Sequence, residues 1–120
     1  MDIYHYILKD KKIIPIEIWI DGKINQEKLD EWATWFGNIE NRKVDFSEIG
    51  NIRISTVFLG IDHNFSFLEG HEPILFETAI IQDDDFEIVE RYKTYDDAKK
   101  GHKSWKNSKL LTSLKIKGST

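Results

Sequence analysis

Apolar and polar residues alternate with a period of two in "YILK", "KIIPIEIWI", "ISTVFLG", "ILFETAII" and "FEIVERY", which predicts strands over residues 3–8, 13–20, 52–59, 74–81 and 86–92. The polar turn Lys9-Asp10-Lys11-Lys12 joins the first two, and Pro15 assigns the second to an edge or a bulge. After Asp21-Gly22 the period changes to that of a helix. Asn25 is placed to cap it, Leu29, Trp32, Ala33 and Phe36 form one stripe, and Gly37 can end it, so the helix covers 26–36. Trp35 lies off the stripe and is expected at the rim of the core. Residues 38–51 read as a polar connection with a short strand over 44–46.

If Asp83-Asp84-Asp85 is a three-residue hairpin loop, Phe76 lies opposite Tyr92 and Glu77 opposite Arg91. A carboxylate facing a guanidinium across strands contributes roughly 0.2–1 kcal/mol. A second helix starts after Thr94, with Asp97 three residues on and Ala98, His102 and Trp105 on one face. Gly101 inside that helix costs about 0.5–1 kcal/mol relative to alanine, which points to a close approach by a strand or a partner. The pattern predicts an α+β fold: one domain over 1–114, an antiparallel β-sheet packed by two α-helices, and a frayed tail over 115–120.

Composition narrows the function. With 120 residues, 40% of them hydrophobic, four Trp, seven Phe and two Pro, the chain can build a core. It has no Cys, which excludes disulfides and thiol catalysis and fits a reducing cytoplasm. No apolar run is long enough for a signal peptide or a membrane span, so no membrane partner is expected. Residues 1–97 hold 10 basic and all 21 acidic side chains, a net of −11, whereas 98–120 hold seven lysines and no acid. An acidic body disfavours nucleic acid as a partner, because that affinity comes from neutralising phosphates. The lysines read as a solvated face that complements a helix C-terminus.

The segment "ISTVFLGIDHNF" places Asp62, His63 and Asn64 at a strand end, before an irregular stretch long enough to shape a pocket. A His oriented by a carboxylate can be a general base, with Ser55 or Thr56 as nucleophile. Ser55, however, lies seven residues back along the same extended strand, roughly 23 Å from Asp62. The simpler reading has Asp62 capping a turn and His63 bonding locally. His5, His63, His71 and His102 lack metal-ligand spacing, and Gly60 and Gly70 belong to no phosphate-binding loop, so neither a metal nor another cofactor is expected. His102, on an apolar helix face, reads as a satisfied, partly buried histidine.

The stretches "YILKDKKIIPI", "LDEWATWF", "ISTVFLGIDHNF", "PILFETAI" and "ERYKTYDDAKKGH" resemble, in this order, a family of small proteins of phage and prophage genomes. The resemblance runs from about Tyr6 to His102, and its most specific parts are residues 55–63, Leu75 to Thr78, and Arg91-Tyr92 with Thr94 and His102. The chain departs from the pattern at Ala79, where Met is usual, and at 66–71, which is longer than the family's glycine-rich turn. The resemblance implies a phage setting, not an activity; in that setting a small acidic chain without a catalytic motif is expected to be a non-enzymatic binding protein acting in the host cytoplasm. Its expected role is counter-defence: binding an immune protein such as a CRISPR effector, or sequestering a nucleotide-derived signal. The alternatives are a small hydrolase using Asp62, His63 and Glu77, and a structural or assembly accessory of the particle. Thr56, Asp62, His63, Asn64, Glu77, Arg91 and Tyr92 are the candidate binding residues, with Arg91 the best clamp for an anionic group. Four Trp and a glycine-bearing helix face exceed what one covered sheet needs, so a homodimer is expected.

Overall fold

Short turns dictate the start of the chain. In the computed structural model, which describes residues 5–62 and 72–118 and the side chains up to 112, β1 (His5–Lys9) and β2 (Lys12–Ile16) form an antiparallel hairpin. Asp10 and Lys11 both take positive φ at its two-residue turn, which matches the right-handed twist of paired strands. The expected single strand over 13–20 is divided. Its second half is β3 (Trp19–Ile20), paired with β4 (Lys23–Ile24) through another turn at positive φ, Asp21-Gly22. Pro15 lies on a two-stranded ribbon, where its missing N–H is tolerated.

Helix α1 (Gln26–Gly37) is capped by Asn25, whose side chain accepts from Lys28 N at 3.1 Å. Trp32 is its buried anchor and stacks on Phe36, and its Nε1–H donates to Tyr6 O at 3.0 Å. Ala33, assigned to the apolar stripe, is exposed, and Trp35 meets Phe58 edge-on at 5.8 Å as a half-buried rim residue. The connection after α1 is more ordered than the sequence predicts. It holds a one-turn helix, α2 (Ile39–Arg42), and a full strand, β5 (Lys43–Ile49), where only 44–46 was expected.

β5, β6 (Ile52–Phe58), β7 (Phe76–Gln82) and β8 (Asp85–Tyr92) form an antiparallel meander in that order. Helix α3 (Tyr95–Gly118) packs against all four strands. Thr94 caps it through Asp97 N at 3.1 Å, and its regular structure continues four residues beyond Leu114. The fold is therefore α+β, with three helices among the described residues, one of them a single turn.

The β7–β8 hairpin corrects one expectation and keeps another. Gln82 pairs with Asp85, so the loop has two residues, with Asp83 at φ 54, and not three. A bulge between the Thr78–Glu90 and Ala79–Ile88 pairs inserts Val89 and restores the one-residue difference. Phe76 thus lies opposite Tyr92 and Glu77 opposite Arg91 as predicted, while Ile88, in phase with the core on paper, turns to the exposed face.

Inward residues of β6 and β7 meet α3. The core joins Tyr6, Val44, Phe58, Leu75, Phe76, Tyr92 and Ala98, sealed by Leu8, Ile13, Trp35 and Tyr95. Gly60, at φ 76, lets the chain leave β6 under α1, and its carbonyl accepts from Tyr6 N at 2.8 Å. No helix among the described residues is long and apolar enough to cross a membrane.

Candidate functional site

Two threonines occupy the inward positions of an otherwise apolar pattern, Ile54-x-Thr56-x-Phe58 on β6 and Phe76-x-Thr78-x-Ile80 on β7. Their strands pair Thr56 with Thr78 directly, and their hydroxyl oxygens lie 2.6 Å apart. Above them α3 lowers His102, 1% exposed, so that Nδ1 is 2.8 Å from Thr56 Oγ1 and Nε2 is 2.9 Å from Ser47 Oγ on β5. On the other side Thr78 Oγ1 is 3.0 Å from the Tyr92 hydroxyl, which donates to Glu90 Oε1 at 3.1 Å. Trp105 Nε1–H donates to the same oxygen at 2.9 Å. One hydrogen-bonded chain therefore crosses all four strands beneath the helix.

The polarity of this chain follows from proton counting. Glu90 as a carboxylate only accepts, so the single hydroxyl proton of Tyr92 points to it, and Tyr92 must accept from Thr78. Thr78 then accepts from Thr56, and Thr56 accepts from His102, which places the imidazole proton on Nδ1. Nε2 keeps its lone pair and accepts from Ser47. The hydroxyls of Thr56, Thr78 and Tyr92 thus each donate once and accept once, Ser47 donates, and among the described residues no buried side-chain nitrogen or oxygen lacks a partner.

Both ends open to cavities. At the β5 end a cavity of about 480 Å³ is lined by Asp45, Ser47, His102 and lysines of α3, and Lys99 Nζ bonds Asp45 Oδ2 at 3.1 Å. At the β8 end one of about 560 Å³ is lined by Glu90, Tyr92, Lys93, Asp97, Lys100 and Ser104, among others. Bulges stand beside both outer pairs of the polar row, Asp45–Thr56 and Thr78–Glu90, and set which side chains of the edge strands turn inward.

Burial holds the His102 pKa below its ordinary value of 6.5; the Asp45 charge opposes this, and Lys99 and Lys106 reinforce it. Burial works against the Asp45 charge, but the Lys99 hydrogen bond and the His102 field outweigh it and leave that carboxyl below 3.8. The Tyr92 hydroxyl is raised by burial, with Thr78 opposing and Glu90 adding to the effect. His102 is thus a base whose folded state favours the neutral form. The stability it contributes is complete above pH 6.5 and is lost as the pH falls below that value, because the unfolded chain binds the proton more readily. Melting temperature should fall from about pH 7.5 to about pH 5 in the native chain and fall less in His102→Gln. The comparison isolates His102 from His5, which burial also lowers. An equal slope in both proteins would remove His102 as the source.

The expected binding residues are divided by the sheet. Thr56 and Tyr92 are buried in the chain of hydrogen bonds. Glu77 and Arg91 project from the opposite face and pair there, Nε to Oε2 at 3.4 Å. Asp62 is buried four residues beyond β6, and its Oδ1 accepts from Ile74 N at 3.1 Å. His63 and Asn64 lie outside the described residues.

Sequence reasoning placed Ser47 and Asp45 in or near a connection and left Glu90 and Trp105 without a polar role. The legible signal was three polar side chains, Thr56, Thr78 and His102, each in the middle of an apolar face. The parts that carry the phage-family resemblance include all three, together with Tyr92. Gly101, suspected of a close approach, lies directly beneath the Tyr92 ring. No protein-family model, no curated protein and no solved structure matches this chain.

Proposed function

We propose that this chain is a non-enzymatic, phage-encoded binding protein that recognises a host protein, a bacterial immune component such as a CRISPR effector, through the sheet face turned away from α3. The phage setting and the counter-defence role rest on the resemblance described above. The observation that carries the choice of a protein partner is the Glu77–Arg91 pair: a guanidinium already engaged by a carboxylate is no open clamp for a phosphate. Around that pair the face exposes Phe46, Phe86 and Ile88, with Glu48 opposite Arg53 at its border. Exposed apolar side chains bordered by charged ones have the anatomy of a protein interface.

The hydrolase reading draws less support. Asp62 is engaged by a backbone amide and Glu77 by Arg91, so two of its three groups already have structural partners.

The test combines a defence assay with a surface variant. Expression of the chain in a host carrying a defence system should restore phage plating, and Phe86→Lys/Ile88→Lys should abolish that while the melting temperature stays unchanged. The purified effector of that system should bind the native chain at least about tenfold more tightly than the variant. Equal activity of the variant would refute this face. Phage plating still restored by the variant, together with tight binding of a nucleotide signal, would favour sequestration, and sedimentation as a dimer dispersed by the variant would assign the face to a second copy of the chain.

A further inference from the structure

The cationic residues of the chain's last quarter are not spread evenly around α3. Lys99, Lys103 and Lys106 recur at helical spacing, and with Lys100 they line the cavity of about 480 Å³ over β5 that Ser47 and His102 also line. Lys99 is held by Asp45. Lys100, Lys103 and Lys106 make no ion pair among the described residues. Three lysines without an ion pair among the described residues therefore line one concavity with Ser47 and the buried His102, Lys100 lining the β8 cavity as well, on a protein whose overall charge is −4.

We infer that this cavity between β5 and α3 is a binding site for a small phosphorylated molecule, a phosphate monoester or a diphosphate. Charge density selects that class. A carboxylate brings one negative charge and would leave two ammonium groups repelling each other, whereas a phosphate monoester carries between one and two charges near neutral pH, a diphosphate carries more, and both present several acceptor oxygens. The volume lies within the range of small-ligand pockets. Ser47 is the polar group at the floor, because its hydroxyl can rotate from His102 Nε2 toward a ligand oxygen while the Thr56 bond keeps the ring in place. Asp45 repels an anion, but Lys99 covers its outer oxygen. A long polyanion fits less well, since it would have to run along a body with a net charge of −11 over residues 1–97. The site is separate from the sheet face assigned above to a protein partner, so either can fail without the other.

Titrating the full chain with pyrophosphate and adenosine 5′-monophosphate at low salt, followed by two-dimensional NMR, tests the site. The expected result is saturable shifts of the Ser47 amide and the His102 ring, no effect of adenosine, and affinity reduced at least about tenfold in Lys103→Ala/Lys106→Ala. Both substituted side chains are exposed, so that variant should keep the native spectrum elsewhere. Absence of shifts at Ser47 and His102 in about 10 mM pyrophosphate would overturn the proposal, as would undiminished binding by the lysine variant. So would a thymidine oligonucleotide whose affinity rises with length and exceeds that of both small probes, which would identify a polyelectrolyte surface.

Discussion

Gly101→Ala should destabilise the protein by at least about 2 kcal/mol, although alanine is the better helix former by about 0.5–1 kcal/mol. A Cβ at position 101 would land against Cε1, Cζ and the hydroxyl of Tyr92, inside their contact distance. The ring cannot retreat cheaply. Its hydroxyl is tied to Thr78 and Glu90, and its body belongs to the core cluster with Phe76 and Ala98. Denaturant unfolding measures the loss, and Gly37→Ala is the control, since nothing lies within 4 Å of a Cβ there. Tyr92→Leu should make the alanine far less costly, because it removes the hydroxyl and shortens the side chain that collides. If Gly101→Ala matches the control, α3 does not approach β8 as described.

Thr56→Val should cost about 2 kcal/mol or more while keeping the shape of the side chain. It leaves the His102 Nδ1–H without an acceptor and Thr78 without its donor, and all three residues are almost fully removed from solvent. An unsatisfied buried polar group carries a penalty of about 1–3 kcal/mol. Thr78→Val breaks the same chain at its next link. The double variant should therefore cost less than the two single changes together, by roughly 0.5–3 kcal/mol, because the Thr56–Thr78 bond is lost only once. Strict additivity, or a Thr56→Val protein within about 0.5 kcal/mol of the native one, would mean that the hydroxyls do not act as one chain.

The sequence by itself determined the elements whose signals are local. The Asn25 and Thr94 caps, the period-two runs of β6 and β7 and the existence of β8 follow from spacing within a few residues, and each stands in the structure; the Glu77–Arg91 opposition stands as well, through a shorter loop and a bulge that offset each other. Local signals failed where backbone irregularity shifts the phase. The Val89 bulge offsets a loop one residue shorter than expected, so the far end of the hairpin was legible while the near end, with Ile88 facing out, was not. β5 was half hidden for the same reason: the register shift at Val44 breaks its alternation, and its partner supplies the order that its own sequence only hints at. Only the tertiary structure decided which polar residues share a site. Ser47 and His102 are 55 positions apart, Thr56 and His102 are 46 apart, and no periodicity within one element encodes a distance between two of them. What brings them together is the burial of apolar faces on β6, β7 and α3. Once those faces meet, the few polar groups carried into the interior must satisfy one another, because no water is there to do it.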